Sequence, residues 1–241
     1  MTLKPLILTS LITVLSAAIG SLPAAAQSNG SHIGHKHAQN THASGSAYSP
    51  AATPKSIPAH VFSEAPEDHS IGDALAPHTL IVYASVVCGH CGSWFSNDYP
   101  ILKERLIDTG KLRLVFREFP TQPSEVAVFG FQIANCAPEE SYFDALIYQF
   151  ENQDETFAKV KEGEGRARFM ELAQRSGLTT ETEMLSCLQN PAGLKRIENS
   201  MERALAGNID AVPALILDGV FMPGLNGAKE VLDALGENSS R

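Results

Sequence analysis

An apolar run, Thr79-Leu80-Ile81-Val82-Tyr83-Ala84, leads within a few residues into Cys88-Gly89-His90-Cys91. A segment with helical periodicity follows, from Cys91 to Leu106. A strand that is apolar on both faces belongs mid-sheet, covered on both sides. A buried strand that hands over directly to a helix is the opening of an α/β sheet domain. This junction constrains the rest of the chain more than any other stretch.

The same placement has chemical consequences. Two cysteines separated by two residues at a strand-to-helix junction form a redox-motif pattern. A thiol at a helix N-terminus sits near the positive end of the helix dipole and near unpaired backbone N–H groups, and both favour thiolate over thiol. Environments of that kind lower a cysteine pKa from ~8.5 to roughly 3.5–7.5. A drop of about 3 units is roughly 4 kcal/mol of preference for the charged form. A dithiol stabilised in this way has a less stable disulfide and is the better oxidant. Cys88 is the expected nucleophile and Cys91 the resolving partner, with His90 between them able to add positive charge or a hydrogen-bond donor. The competing reading is half of a zinc site. A tetrahedral site of that kind needs a second pair of ligands. Cys136 and Cys187 are single cysteines far apart in the chain, so no metal is expected.

The chain has 241 residues, 44% of them hydrophobic and 19% charged, an ordinary globular composition. A net charge of −9 argues against nucleic acid as a partner and offers no basic patch for acidic membranes. Lys4 is the only charge ahead of an apolar run from Leu6 to Ile19, and small residues follow in Ala24-Ala25-Ala26. That is the pattern of an export signal, and the run is short for a membrane span. Residues 1–26 are read as a signal peptide cleaved after Ala26, with an uncleaved anchor as the other reading. Export places the mature chain where disulfides persist, a periplasm in a Gram-negative source.

Residues 27–58 are rich in Ser, Ala, Gly, His, Asn and Pro and read as a disordered linker. His32, His35, His37 and His42 cluster there. A flexible tract lacks the surrounding groups that orient metal ligands, so a solvated linker is preferred over a metal site. Order begins near His60. Ile71 to Pro77 is a turn-rich lead-in to the strand. Pro100 falls inside the helical pattern and is expected to kink or end it. Leu112 to Phe119 alternates and reads as a second strand. Beyond it come helices at Ser124–Ala137, Tyr142–Gln149, Arg166–Ser176, Thr180–Gln189 and Leu194–Ala206, with no strand-like run. Thr180 and Glu183 have capping-box spacing. Strands return as a hairpin, Ala214–Leu217 and Val220–Met222 around Asp218-Gly219, before a terminal helix from Asn226 to Leu235.

These residues carry a family signature. Gly72-Asp73 with Ala76-Pro77, the strand and Cys88-Gly89-His90-Cys91 resemble the DsbA-like branch of the thioredoxin superfamily. So do Arg117-Glu118-Phe119-Pro120, Cys136-Ala137 and Val212-Pro213. The resemblance covers roughly His60 to Leu235 and implies an α/β thioredoxin fold with an inserted all-helical subdomain. The expected division is 59–123 with 205–241 for the thioredoxin-fold domain and 124–204 for the insertion. On the residues alone, Pro213 reads equally as a trans proline opening an edge strand or as a cis proline. The resemblance implies the cis form, facing the cysteine pair. Val212 and Pro213 would then offer backbone groups to an extended substrate strand.

The sequence departs from the family in two places. Many thioredoxin-fold enzymes carry a buried carboxylate six residues before the nucleophile, where this chain has Val82. Glu118 is the nearest family-like carboxylate and reads as a solvated strand end. The inner dipeptide is Gly89-His90, as in protein disulfide isomerases, where bacterial oxidases often have Pro-His. Export makes two free thiols unfavourable, so Cys136 and Cys187 are expected to pair. Closing a loop of about 50 residues contributes roughly 4 kcal/mol in the chain-entropy model. Two buried thiols are the other reading.

The expectation is an exported thiol:disulfide oxidoreductase, without a dissociable cofactor, that forms disulfides in unfolded or reduced exported proteins. The resemblance implies reoxidation by a membrane partner of the DsbB type. A dedicated isomerase usually needs an oligomerisation region, which the linker does not supply, so a monomer is expected. A disulfide isomerase or reductase on the same fold is the first competing reading. A metal-binding or holdase protein using the histidine tract and an apolar groove is the second.

Overall fold

The computed structural model describes residues 59–237 apart from 222 and 224–226. The expected signal peptide and histidine-bearing linker lie outside the described residues, as do Met222 of the hairpin and Asn226 of the last helix.

Five strands form one sheet in the order β1-β3-β2-β4-β5. The central strand β2 (His78–Ala84) pairs in parallel with β3 (Leu112–Glu118) and antiparallel with β4 (Ala214–Leu217). Strands β1 (His69–Ile71) and β5 (Val220–Phe221) form the antiparallel edges. Leu80 to Ala84 are at most 1% exposed, which is why this run is apolar on both faces. Successive residues alternate between faces. Leu80, Val82 and Ala84 join Leu114 and Phe116 in the larger core, and Ile81 and Tyr83 join Val115 and Ile216 in the smaller.

Helix α1 (Gly89–Asn97) follows β2 after a four-residue loop and gives way at Asp98 to α2 (Tyr99–Leu102) and a π-helical turn, Lys103–Ile107. Pro100 sets the break. It has no N–H for the interior of a helix, whereas in a first turn that N–H would be unpaired anyway.

All described regular structure between β3 and β4 is helical. It comprises α3 (Ser124–Asn135), a 3-10 turn (Glu139–Ser141), α4 (Tyr142–Glu151), α5 (Gln153–Lys161), α6 (Gly165–Arg175), α7 (Glu181–Leu188) and α8 (Pro191–Ala206). Thr180 caps α7 by accepting the Glu183 N–H at 3.2 Å, and the Glu183 carboxylate accepts the Thr180 N–H at 2.8 Å. A disulfide joins Cys136, at the end of α3, to Cys187 on α7. The helical segment shares the larger core with the sheet. Phe150 of α4 stacks on Phe95 of α1 at 4.0 Å between ring centroids, and Phe116 of β3 meets Phe131 of α3.

Two polar fastenings hold the sheet's ends. Arg117, fully buried, donates to the carbonyls of Val61 and Ser63 and to the Tyr83 hydroxyl, and pairs with Asp68 at 2.8 Å. At the other edge, Asp218 and Gly219 both have positive φ, 51° and 79°, as a two-residue hairpin turn of the favoured hand requires. The Asp218 carboxylate accepts the Thr79 N–H at 2.9 Å and bonds the His78 ring at 2.8 Å. The chain closes with α9 (Ala228–Ala234).

Candidate active site

Strand β2 ends at Ala84, and the four residues to Cys88 carry the chain up to α1. Cys88 is the N-cap of that helix, in extended conformation at φ −95° and ψ 117°. Its carbonyl accepts the Gly92 N–H at 3.0 Å, the first bond of the helix. Cys88 is half-buried, whereas Cys91, in the first turn, has no exposed surface. Both are free thiols. Burial pushes the Cys91 thiol well up from its ordinary range; the Ser85 N–H, 3.5 Å from the sulfur, opposes this, and the Cys88 side chain adds to it.

The loop before β4 completes the site. The Cys88 thiol donates to the Val212 carbonyl at 3.6 Å, and Val212-Pro213 is a cis peptide. Cys88, Cys91, Val212 and Pro213, named from the sequence as site residues, thus come together at one end of β2. Their chemical roles belong to the proposal below. His90 is exposed and lines a cavity of about 650 Å³ with Ser93, Asn97, Phe150 and Gln153. Among the described residues, no group of three or more His, Cys, Asp or Glu is placed to hold a metal ion. The four linker histidines are outside them.

Glu118 corrects the sequence reading. It is no solvated strand end: it is 1% exposed, and burial pushes its carboxyl up from 4.5 to about 7, with Arg196 and Asn135 pulling the other way. One of its oxygens has no hydrogen-bond partner. Around the same place His69 stacks on Tyr142 and bonds the Asn135 amide oxygen, which also accepts from Arg196. The sequence misled here because a carboxylate at a strand's end is ordinarily solvated. The side chains that cover this one come from β1, α3, α4 and α8.

Two residues at the site, Ser85 and Gln153, belong to no motif or spacing in the sequence. Ser85 is buried, and its hydroxyl accepts from the N–H and hydroxyl of Thr121, joining the cysteine loop to the loop after β3. That second loop contains another cis peptide, Gln122-Pro123. Gln153, on a helix the periodicity does not reveal, donates to the carbonyls of Val86 and Cys88 at 2.9 and 3.1 Å. The acidic first turn and basic last turn of α5 were the cue that could have exposed it.

Comparison with known proteins agrees with this architecture. A Rickettsia conorii protein named as a protein-disulfide oxidoreductase is 26% identical over 156 residues, covering 64% of this chain and 54% of that protein. The chain therefore spans about half the length of that relative. The crystal structure of Wolbachia pipientis α-DsbA1 superposes with a TM-score of 0.65 at 23% identity, over 74% of this chain and 94% of that one. A protein-disulfide isomerase from Novosphingobium aromaticivorans superposes with a TM-score of 0.58 at 17% identity, over 70% of this chain and 95% of that one. At such identities the superpositions establish the fold, with DsbA structures among the neighbours. The family model named Thioredoxin matches residues 64–237, well over half of the 241, and this chain belongs to that family.

Proposed function

We propose that the chain is a thiol:disulfide oxidoreductase that forms disulfides in other exported proteins by dithiol–disulfide exchange. The observation that carries this reading is the pairing of a half-buried Cys88, facing the Val212 carbonyl, with a fully buried Cys91. In the oxidised protein a substrate thiolate attacks the Cys88 sulfur. The Cys88–Cys91 bond breaks, and Cys91 leaves with the electron pair and takes up a proton. A second substrate thiolate then attacks the substrate sulfur of the mixed disulfide, and Cys88 leaves as thiolate. The substrate loses two electrons and the cysteine pair gains them.

Burial gives this sequence a direction. Cys91 is held as thiol by its surroundings. A thiol is a poor nucleophile, so once released Cys91 returns slowly to the mixed disulfide, and the substrate's own second thiol has time to act. The loop at Val212-Pro213 is the place for a substrate strand to lie beside Cys88, its backbone offering hydrogen bonds in the manner of strand addition. In the export reading the protein works as a monomer in a periplasm, after loss of residues 1–26. A membrane protein of the DsbB type reoxidises the pair. The division proposed from the sequence, with the helical segment as an insertion in the thioredoxin-fold domain, goes with that assignment.

The test is oxidation of a reduced, unfolded model protein by the oxidised chain. Cys88→Ser is expected to abolish turnover. Cys91→Ser, mixed instead with a disulfide-bonded model protein, is expected to accumulate a substrate linked to residue 88, as the Cys88 thiolate attacks the substrate disulfide and releases one substrate thiol. Turnover by Cys88→Ser at the wild-type rate would overturn the reading. The Gly89-His90 dipeptide supports a second reading as an isomerase. Refolding of a scrambled substrate distinguishes the two, since an isomerase restores it from the reduced state without net oxidation.

A further inference from the structure

Gln153 opens α5, 65 positions beyond Cys88, and turns its side chain into the cysteine loop. It is 7% exposed. Its amide nitrogen has two hydrogens, and both are used, one on the Val86 carbonyl and one on the Cys88 carbonyl. The Val86 carbonyl lies beyond the end of β2, where the sheet ladder no longer supplies donors, and a buried carbonyl without a donor is costly. The Cys88 carbonyl already accepts the Gly92 N–H and takes the amide as a second donor. The fit is close on the far side too. A Cβ at Gly92 would collide with the Gln153 amide oxygen, so this position of α1 is open only to glycine while the amide stays where it is.

We infer that Gln153 is a positioning residue for the redox pair, holding the Cys88 backbone in its extended conformation with the sulfur toward Val212 and favouring the dithiol over the disulfide. Two features carry the inference. The amide grips the Val86–Val87 and Cys88–Gly89 peptide planes, so the backbone of the two residues between them, Val87 and Cys88, cannot turn freely. It also brings the positive end of its dipole to the Cys88 carbonyl, next to the atom that gains negative charge when the Cys88–Cys91 bond opens. A residue of the helical segment thereby acts on the reactive sulfur without touching substrate.

The inference rests on the oxidoreductase reading and is tested apart from it. The purified protein is equilibrated with glutathione: two glutathione thiols become one disulfide as the Cys88–Cys91 bond is reduced to two thiols. In Gln153→Leu the equilibrium constant for oxidising glutathione is expected to fall about five- to tenfold, as loss of one or two hydrogen bonds implies. Tenfold corresponds to about 30 mV. Gln153→Glu, which puts an anion where the donor was, is expected to fall further. Gly92→Ala displaces the amide from the other side and is expected to shift the constant the same way. A folded Gln153→Leu protein with a lower unfolding midpoint but an unchanged constant makes the amide purely structural and overturns the inference. Should that variant fail to fold, an unchanged constant in either Gly92→Ala or Gln153→Glu overturns it equally. A wild-type protein that does not exchange with glutathione would overturn the functional reading instead.

Discussion

At the scale of single residues, the two cysteines differ more in surroundings than in chemistry. Cys91 is buried and its thiol is pushed up, while Cys88 is half-buried. With the pair reduced, an alkylating agent at neutral pH is expected to label Cys88 and leave Cys91 unmodified until denaturant is added; peptide mapping by mass spectrometry reads the outcome. Glu118 supports a different prediction. Its folded value of about 7 lies above the ordinary 4.5, so the stability carried by the neutral acid is whole below 4.5 and is lost as pH rises through 7. The loss amounts to about 3 kcal/mol. Glu118→Gln cannot ionise, so its stability relative to wild type should increase between pH 5 and pH 8 by that order, measured by urea unfolding. His69 has the opposite sign. Burial lowers it from 6.5, so its contribution is whole above that value and is lost as pH falls, which leaves an acid-side decline in the variant as well.

At the scale of elements, the disulfide between α3 and α7 closes a loop of 51 residues. Replacing Cys136 and Cys187 together by Ala is expected to cost about 2–4 kcal/mol of unfolding free energy. Elements were legible in the sequence where a local signal existed. The apolar run gave β2, Asp218-Gly219 gave the hairpin, and Thr180 with Glu183 marked the start of α7. Strand β1 has three residues, too few for periodicity to register, and takes its pairing from β3. Helix α5 presents little apolar surface, with Gln153 as its buried residue, so its place depends on partners distant in sequence. The candidate site divides in the same way. Spacing disclosed the cysteines, whereas Ser85, Gln153 and the burial of Glu118 depend on segments that meet only in the folded chain.

At the scale of the whole molecule, one core serves both the sheet and the helical segment. Phe95 and Phe116 on one side pack with Phe131 and Phe150 on the other. Two parts that share a core do not unfold separately. Urea transitions followed by far-UV circular dichroism, which is dominated by helices, and by fluorescence of Trp94 on α1 should therefore coincide. Phe150→Ala, which empties a position 2% exposed at that contact, is expected to lower stability by about 3–5 kcal/mol in both signals together.

The Asp218 carboxylate reaches the first two residues of β2 from the hairpin turn, so it works as an end stop for the strand that leads to Cys88. Side chains alternate faces along a strand, and a slip of one position would present every one of them to the wrong side. A carboxylate some distance along the sheet from either sulfur thus helps hold the register of the strand from which the cysteine loop departs. Wear at that far corner would be felt as misalignment at the reactive end.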